Sequence, residues 1–229
     1  MNKMAELDNL NTCSSGKVEV VGGETIIISP GHGLDRGDIK KEPNPGVYVK
    51  VTKNNKTFII KEVNLVYDFC KLLYAELDKL GVPYINLKQK IRETTDKYTI
   101  KERNEVANAI DDKVDAALEL CIHVDAHNHG YTGITFFYIK NRPRSKKIAE
   151  YFKKKLNEKN LPTRIKDDTE TYEQSLGELR NTKAPATLIE IGLIDTEESR
   201  KIMLEREPLL AIVLASTLKS FIKDRPNFN

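Results

Sequence analysis

Apolar positions fall in two rhythms along this chain. Short β-branched or aliphatic runs, the pattern of buried strands, occur at 25–29, 82–87, 117–124, 133–139 and 186–191. Between them apolar residues recur every three or four positions, the pattern of helices with one buried face. The clearest helix opens at Glu62. Val63, Val66, Tyr67, Cys70, Leu73, Tyr74, Leu77 and Leu80 share a face, and Gly81 is the expected stop. Further helices are predicted over 99–112 and 145–160, and a closing one over 208–223 after short turns from Thr196. A short strand fits 163–166, and 167–183 reads as a polar loop. Two strand-like arms at 48–52 and 57–60 flank Lys53-Asn54-Asn55-Lys56, a hairpin signal. Strands alternating with helices predict a single α/β domain. Its sheet is mixed but mostly parallel, flanked by helices on both faces, with an inserted β-hairpin near 47–60.

Composition narrows this picture. The chain has 229 residues, 39% hydrophobic and 31% charged, enough for one continuous core. Residues 1–23 are polar and read as a flexible leader with at most one short strand at 18–21, leaving 24–225 as the folded domain. The net charge of +3 is too small to point to nucleic acid, and no aromatic pattern supports it. The three cysteines form no CxxC pair, so neither a disulfide framework nor a zinc knuckle is expected. No apolar run reaches membrane-spanning length. The first residues carry no signal-peptide core, so synthesis in the cytoplasm without a signal peptide is expected.

Candidate chemistry gathers at strand ends. Ile26-Ile27-Ile28-Ser29 breaks into Pro30-Gly31-His32-Gly33, which delivers one histidine to the carboxyl edge of a sheet. His123 ends a second strand, and Glu190 interrupts a third within Leu188-Ile189-Glu190-Ile191-Gly192. A carboxylate in a buried strand is costly unless paired or metal-bound. Glu62, at a helix start, completes two histidines and two carboxylates. Glu24, Glu42 and Glu93 compete for its place. Two histidines and a carboxylate with an open position are the usual ligands of a catalytic zinc, and a further carboxylate is what such a zinc needs as proton carrier. His127 and His129 follow His123 in a turn rather than a helix, share no face with it, and read as rim residues.

The order of these pieces resembles the amidase-3 family of zinc-dependent N-acetylmuramoyl-L-alanine amidases. The matching segments are 26–33, Lys61-Glu62-Val63-Asn64-Leu65, Arg103 with Ala107-Asn108, 121–126, Gly133 before a strand, and 185–194. The resemblance implies that His32, Glu62 and His123 bind Zn2+ and that Glu190 is the catalytic carboxylate. The implied reaction is hydrolysis of the peptidoglycan amide between N-acetylmuramic acid and L-alanine. Ser29 and Cys121 stand where the family often has Asp and Ser, and neither is an implied ligand. Arg103 and Asn108 read as helix packing and loop anchoring. The basic segment 140–159, with nine Lys or Arg, reads as a solvated helix face, with attraction to anionic wall polymer as the other option. The implied partner is peptidoglycan, with no nucleic acid, and the oligomeric state stays open. A phage-type lysin, acting in host lysis or carried on the virion, suits a wall enzyme without a signal peptide. The alternatives are a zinc peptidase or deacetylase acting on another wall amide, and a degenerate wall-binding module.

Overall fold

The computed structural model describes residues 22–33, 46–94, 99–126, 131–171 and 176–225. Strand β1 (Ile26–Pro30) is followed by a two-stranded hairpin, β2 (Tyr48–Lys53) and β3 (Lys56–Lys61). Asn54 and Asn55 make its turn with φ of 52° and 57°, the left-handed pair that a two-residue hairpin turn requires. The chain continues as α1 (Glu62–Leu80), β4 (Tyr84–Asn86), α2 (Leu87–Thr94), α3 (Ile100–Val114), β5 (Leu118–Asp125) and β6 (Ile134–Tyr138). It closes with α4 (Pro143–Asn157), β7 (Thr163–Asp167), α5 (Gly177–Arg180), β8 (Ala186–Leu193) and α6 (Glu197–Asp224).

Six strands form one sheet in the order β4-β1-β5-β8-β6-β7. Neighbours β4, β1, β5 and β8 are parallel, while β6 runs antiparallel to β8 and parallel to β7. The predicted α/β class, the mostly parallel sheet and the separate hairpin are therefore all present. Alternation along β5 assigns its two faces. Leu118, Leu120, Ile122 and Val124 pack with α1, α4 and α6, through Phe69, Leu73, Phe152, Leu214 and Phe221. The opposite face carries Cys121 against Leu179 of α5, and Ile27 of β1 lies against Ile91 and Ile110 of α2 and α3.

Three elements differ from the pattern-based expectation. The strand predicted at 82–87 is only Tyr84–Asn86, and the polar stretch after it folds as α2. Only Leu87 and Ile91 of that helix are buried apolar residues, too sparse a period to read from sequence. The loop predicted at 167–183 contains α5, a single turn with no periodicity to detect. The turns after Thr196 and the closing helix are one continuous α6 that passes through Pro208. Thr196 caps it through a reciprocal bond with Ser199. Proline costs a helix one backbone hydrogen bond. Here Met203, Leu210, Leu214 and Phe221 bury that helix against the core on both sides of it. The strand expected at 18–21, and with it most of the leader, lies outside the described residues.

Candidate active site

Parallel pairing brings the strand ends together. Ser29 of β1 lies beside Cys121 of β5, and His123 of β5 beside Glu190 of β8. His123 and Glu190 therefore sit on adjacent strands and on the same face of the sheet. His32 follows β1 in a left-handed conformation, φ 47°. That conformation is uncommon for a non-glycine residue and is stabilised by contacts that hold the backbone in it. One such hold is Lys88 of α2, whose Nζ donates to the His32 carbonyl at 3.0 Å. Helix α1 begins at Glu62 with no side-chain cap, and the Glu62 backbone N–H donates to the Val47 carbonyl at the root of the hairpin.

Glu62 is the hub. Its Oε1 lies 3.0 Å from His123 Nδ1 and accepts from the Val124 N–H, also at 3.0 Å. Its Oε2 accepts from the Val47 N–H at 3.0 Å and lies 3.2 Å from His32 Nε2. The His32 and His123 rings meet edge to face, 4.8 Å between centroids. One donor atom from each of His32, Glu62 and His123 lies within 4.8 Å of the others, so the three could hold a metal ion. Of the competitors for the place of Glu62, Glu24 is exposed at the chain's entry to β1. Glu42 lies outside the described residues, and so does the side chain of Glu93 on α2. His127 and His129 are likewise outside them.

Two glycines make the room. A Cβ on Gly31 would stand 2.5–2.8 Å from three atoms of the His123 ring. One on Gly46 would collide with the Glu62 carboxylate and the His32 ring. The second carboxylate, Glu190, has a buried Oε2 with no hydrogen-bond partner among the described residues. No arginine pairs with it there.

Sequence reasoning missed Glu178. It sits on α5 inside the stretch read as a loop, and its Oε2 lies 3.0 Å from His123 Nε2. Arg103 of α3 grips the same carboxylate with both guanidinium nitrogens, Nη1 on Oε1 and Nη2 on Oε2 at 2.8 Å. The same Nη2 donates to Ser29 Oγ at 2.9 Å. Arg103 therefore does more than pack its helix, while Asn108 anchors the following loop as expected, through Asn181 and Lys183. A buried arginine demands a carboxylate within reach, and that was the one signal available for Glu178.

Electrostatics follow from burial and these pairs. Burial alone would raise the Glu62 carboxyl, but hydrogen bonds from His123 and His32 outweigh it and hold it well below the usual range. Burial likewise works against Glu178, and the charge of Arg103, then that of His123, brings it down to about 2. His123 would be lowered by burial, yet Glu178 and Glu62 raise it to about 10. Burial pushes Glu190 well above the carboxylate range, and the charges of Glu62, Asp125 and Glu178 add to that against His123. Burial also raises Glu119, beneath the site on β5, to about 7.

These shifts have a definite sign for stability. Glu178 and Glu62 are lowered in the fold, so their contribution is present above about pH 4.5 and is lost as pH falls through the folded values. His123 is raised, so its contribution is complete below about pH 6.5 and is lost as pH climbs toward 10. Glu119 is raised and opposes folding as pH passes from 4.5 through 7. Metal-free protein is therefore expected to show its highest Tm at about pH 5, falling on both sides. Thermal melts in chelator across pH 3–9 measure this. A Tm that climbs steadily from pH 5 to 9 would contradict these assignments.

Comparison with known proteins identifies the family and the fold. The sequence profile of the N-acetylmuramoyl-L-alanine amidase family, Amidase_3, matches residues 26–217. A search of curated protein sequences returns no match. Among solved structures, an N-acetylmuramoyl-L-alanine amidase from Clostridium difficile 630 is similar, with a TM-score of 0.64 at 22% identity, over 90% of this chain and 98% of that one. Cwp6 from Clostridium difficile gives 0.63 at 23%, over 90% of this chain and 30% of its own length. The catalytic domain of the CD27L endolysin, which targets Clostridia difficile, gives 0.55 at 18%, over 86% and 97%. At these identities the structures testify to the fold alone, whereas the profile spans the sheet and every residue of the site described above. This chain belongs to the N-acetylmuramoyl-L-alanine amidase family.

Proposed function

We propose that the protein is a zinc-dependent peptidoglycan hydrolase. It cleaves the amide that joins the lactyl group of N-acetylmuramic acid to L-alanine. The observation that carries this reading is the convergence of His32, Glu62 and His123 on one point, with a carboxyl oxygen of Glu190, partnerless among the described residues, on the adjacent strand. The donor set is the one a catalytic zinc takes, and Gly31 and Gly46 leave the space that any Cβ would fill. In this reading His32, Glu62 and His123 hold the ion, and residues 24–225 form the catalytic unit behind a leader at 1–23. Bound there, zinc would supply a Lewis acid that acidifies water and polarises a carbonyl.

The chain's own residues do the rest. Val47 and Val124 fix both carboxylate oxygens of Glu62 through backbone N–H groups, so the ligand is oriented before metal arrives. Glu190 takes the proton of the attacking water and delivers it to the leaving nitrogen of L-alanine.

A phage-type lysin is the setting we propose; the endolysin catalytic domain shows that this fold can serve in such a protein. No helix among the described residues is long and apolar enough to cross a membrane. The test is product mapping on purified sacculi with and without chelator. New α-amino groups on L-alanine, lost with chelator and restored by zinc, are the expected result. Peptide–peptide cuts or released acetate with the muramyl bond intact would establish a peptidase or deacetylase instead. Binding to sacculi without turnover would establish a wall-binding module.

A further inference from the structure

His123 is the one candidate ligand with both ring nitrogens engaged among the described residues: Nδ1 toward Glu62 and Nε2 toward Glu178. The Glu178 carboxylate cannot drift. Arg103 holds it in a two-point fork, and the same guanidinium donates to Ser29, three residues before His32. The group that aims His123 is thereby tied to the strand that delivers the other histidine. The His123 ring packs closely over Gly31, occupying the space a Cβ there would need.

We propose that Glu178 is a positioning residue for the metal centre: anchored by Arg103, its carboxylate holds the Nε2–H of His123 and so presents Nδ1, on the Glu62 side, to the metal. The proposal rests on the zinc site of the preceding reading. A carboxylate behind a histidine ligand fixes the tautomer and ring orientation and makes the ligand nitrogen a better donor. Removing such a group characteristically weakens metal binding about 10–100-fold.

The rival account is that Glu178 serves only to neutralise the buried Arg103. Two variants separate them. Arg103→Met with Glu178→Leu removes the ion pair as a unit, which a core tolerates far better than one orphaned charge. Glu178→Asp keeps a charge for Arg103 but withdraws it from His123 by one methylene. Zinc affinity is measured by competition with a chromophoric chelator, alongside thermal melts of the metal-free proteins. The imidazole N–H signals of His123 are read by NMR in the zinc-loaded state.

The expected result is a wild-type protein that binds zinc with a protected Nε2–H signal. The double variant melts within a few degrees of it, binds zinc about 10–100-fold more weakly and loses that signal. Glu178→Asp falls between, and carries the comparison by itself if the double variant does not fold. Wild-type zinc affinity in whichever variant folds would overturn the role of Glu178 alone. Failure of the wild-type protein to bind zinc would overturn the metal site and this proposal together.

Discussion

Glu190→Gln is expected to lower amide hydrolysis about a thousandfold while zinc affinity stays within a few-fold of wild type. Glutamine has nearly the shape of glutamate, so the strand pairing of Glu190 with His123 and Thr135 should survive. What disappears is the ability to accept a proton from water and release it to the leaving amine. Removing a general base or acid costs about 10²–10⁴ in rate, and here one residue fills both roles. The substitution also removes a buried carboxyl whose Oε2 has no partner among the described residues, so the variant should be no less stable. Release of free L-alanine amino groups from sacculi measures the rate, and chelator competition measures the metal. Wild-type turnover in the variant would remove Glu190 from the mechanism. Zinc lost in parallel with activity would make it a ligand instead.

Glu62→Gln is expected to fail differently: zinc binding falls at least about a hundredfold, and activity falls with it. The carboxylate accepts from two backbone N–H groups and faces two histidines. A glutamine side chain has one acceptor oxygen and an NH2 that donates. Whichever way it turns, it places a donor against Val124 and His123 or against Val47 and His32. One orphaned buried donor costs about 1–3 kcal/mol, so the metal-free variant should also melt lower than wild type. Since Val47 roots the hairpin, hydrogen exchange across 48–61 should quicken. A variant that binds zinc normally would return the ligand assignment to another carboxylate. The pair of substitutions forms a contrast: Glu190→Gln separates activity from metal and stability, and Glu62→Gln loses all three.

Much of the sheet could be read in advance because a buried strand advertises itself locally. Ile26-Ile27-Ile28 and the β5 run have no soluble alternative to burial, and Asn54-Asn55 names its turn through backbone preference alone. The histidines were legible because His32 follows such a strand and His123 lies near the end of one, and Glu190 because a carboxylate amid Leu188, Ile189 and Ile191 is anomalous. Glu62 was harder. An acidic residue at a helix start is favoured by the helix dipole and needs no further role. Only Val47, Val124 and the two rings at hydrogen-bond distance distinguish it from Glu24.

The sequence by itself determined the α/β class, the hairpin, and that His32, His123 and Glu190 arrive at the carboxyl edge. Each of these follows from a period or a break within a dozen residues. The tertiary structure alone decided that Lys88 pins His32, that Arg103 joins Ser29 to Glu178, and that Glu178 stands behind His123. These partners are 56, 74 and 55 positions apart. Lys88 and Glu178 come from a two-turn helix and a one-turn helix, which are too short to imprint a hydrophobic period, and the period of α3 does not say which carboxylate Arg103 meets. A polar side chain's partner is chosen by which donors and acceptors the packed elements bring within about 3 Å, and no local pattern carries that information.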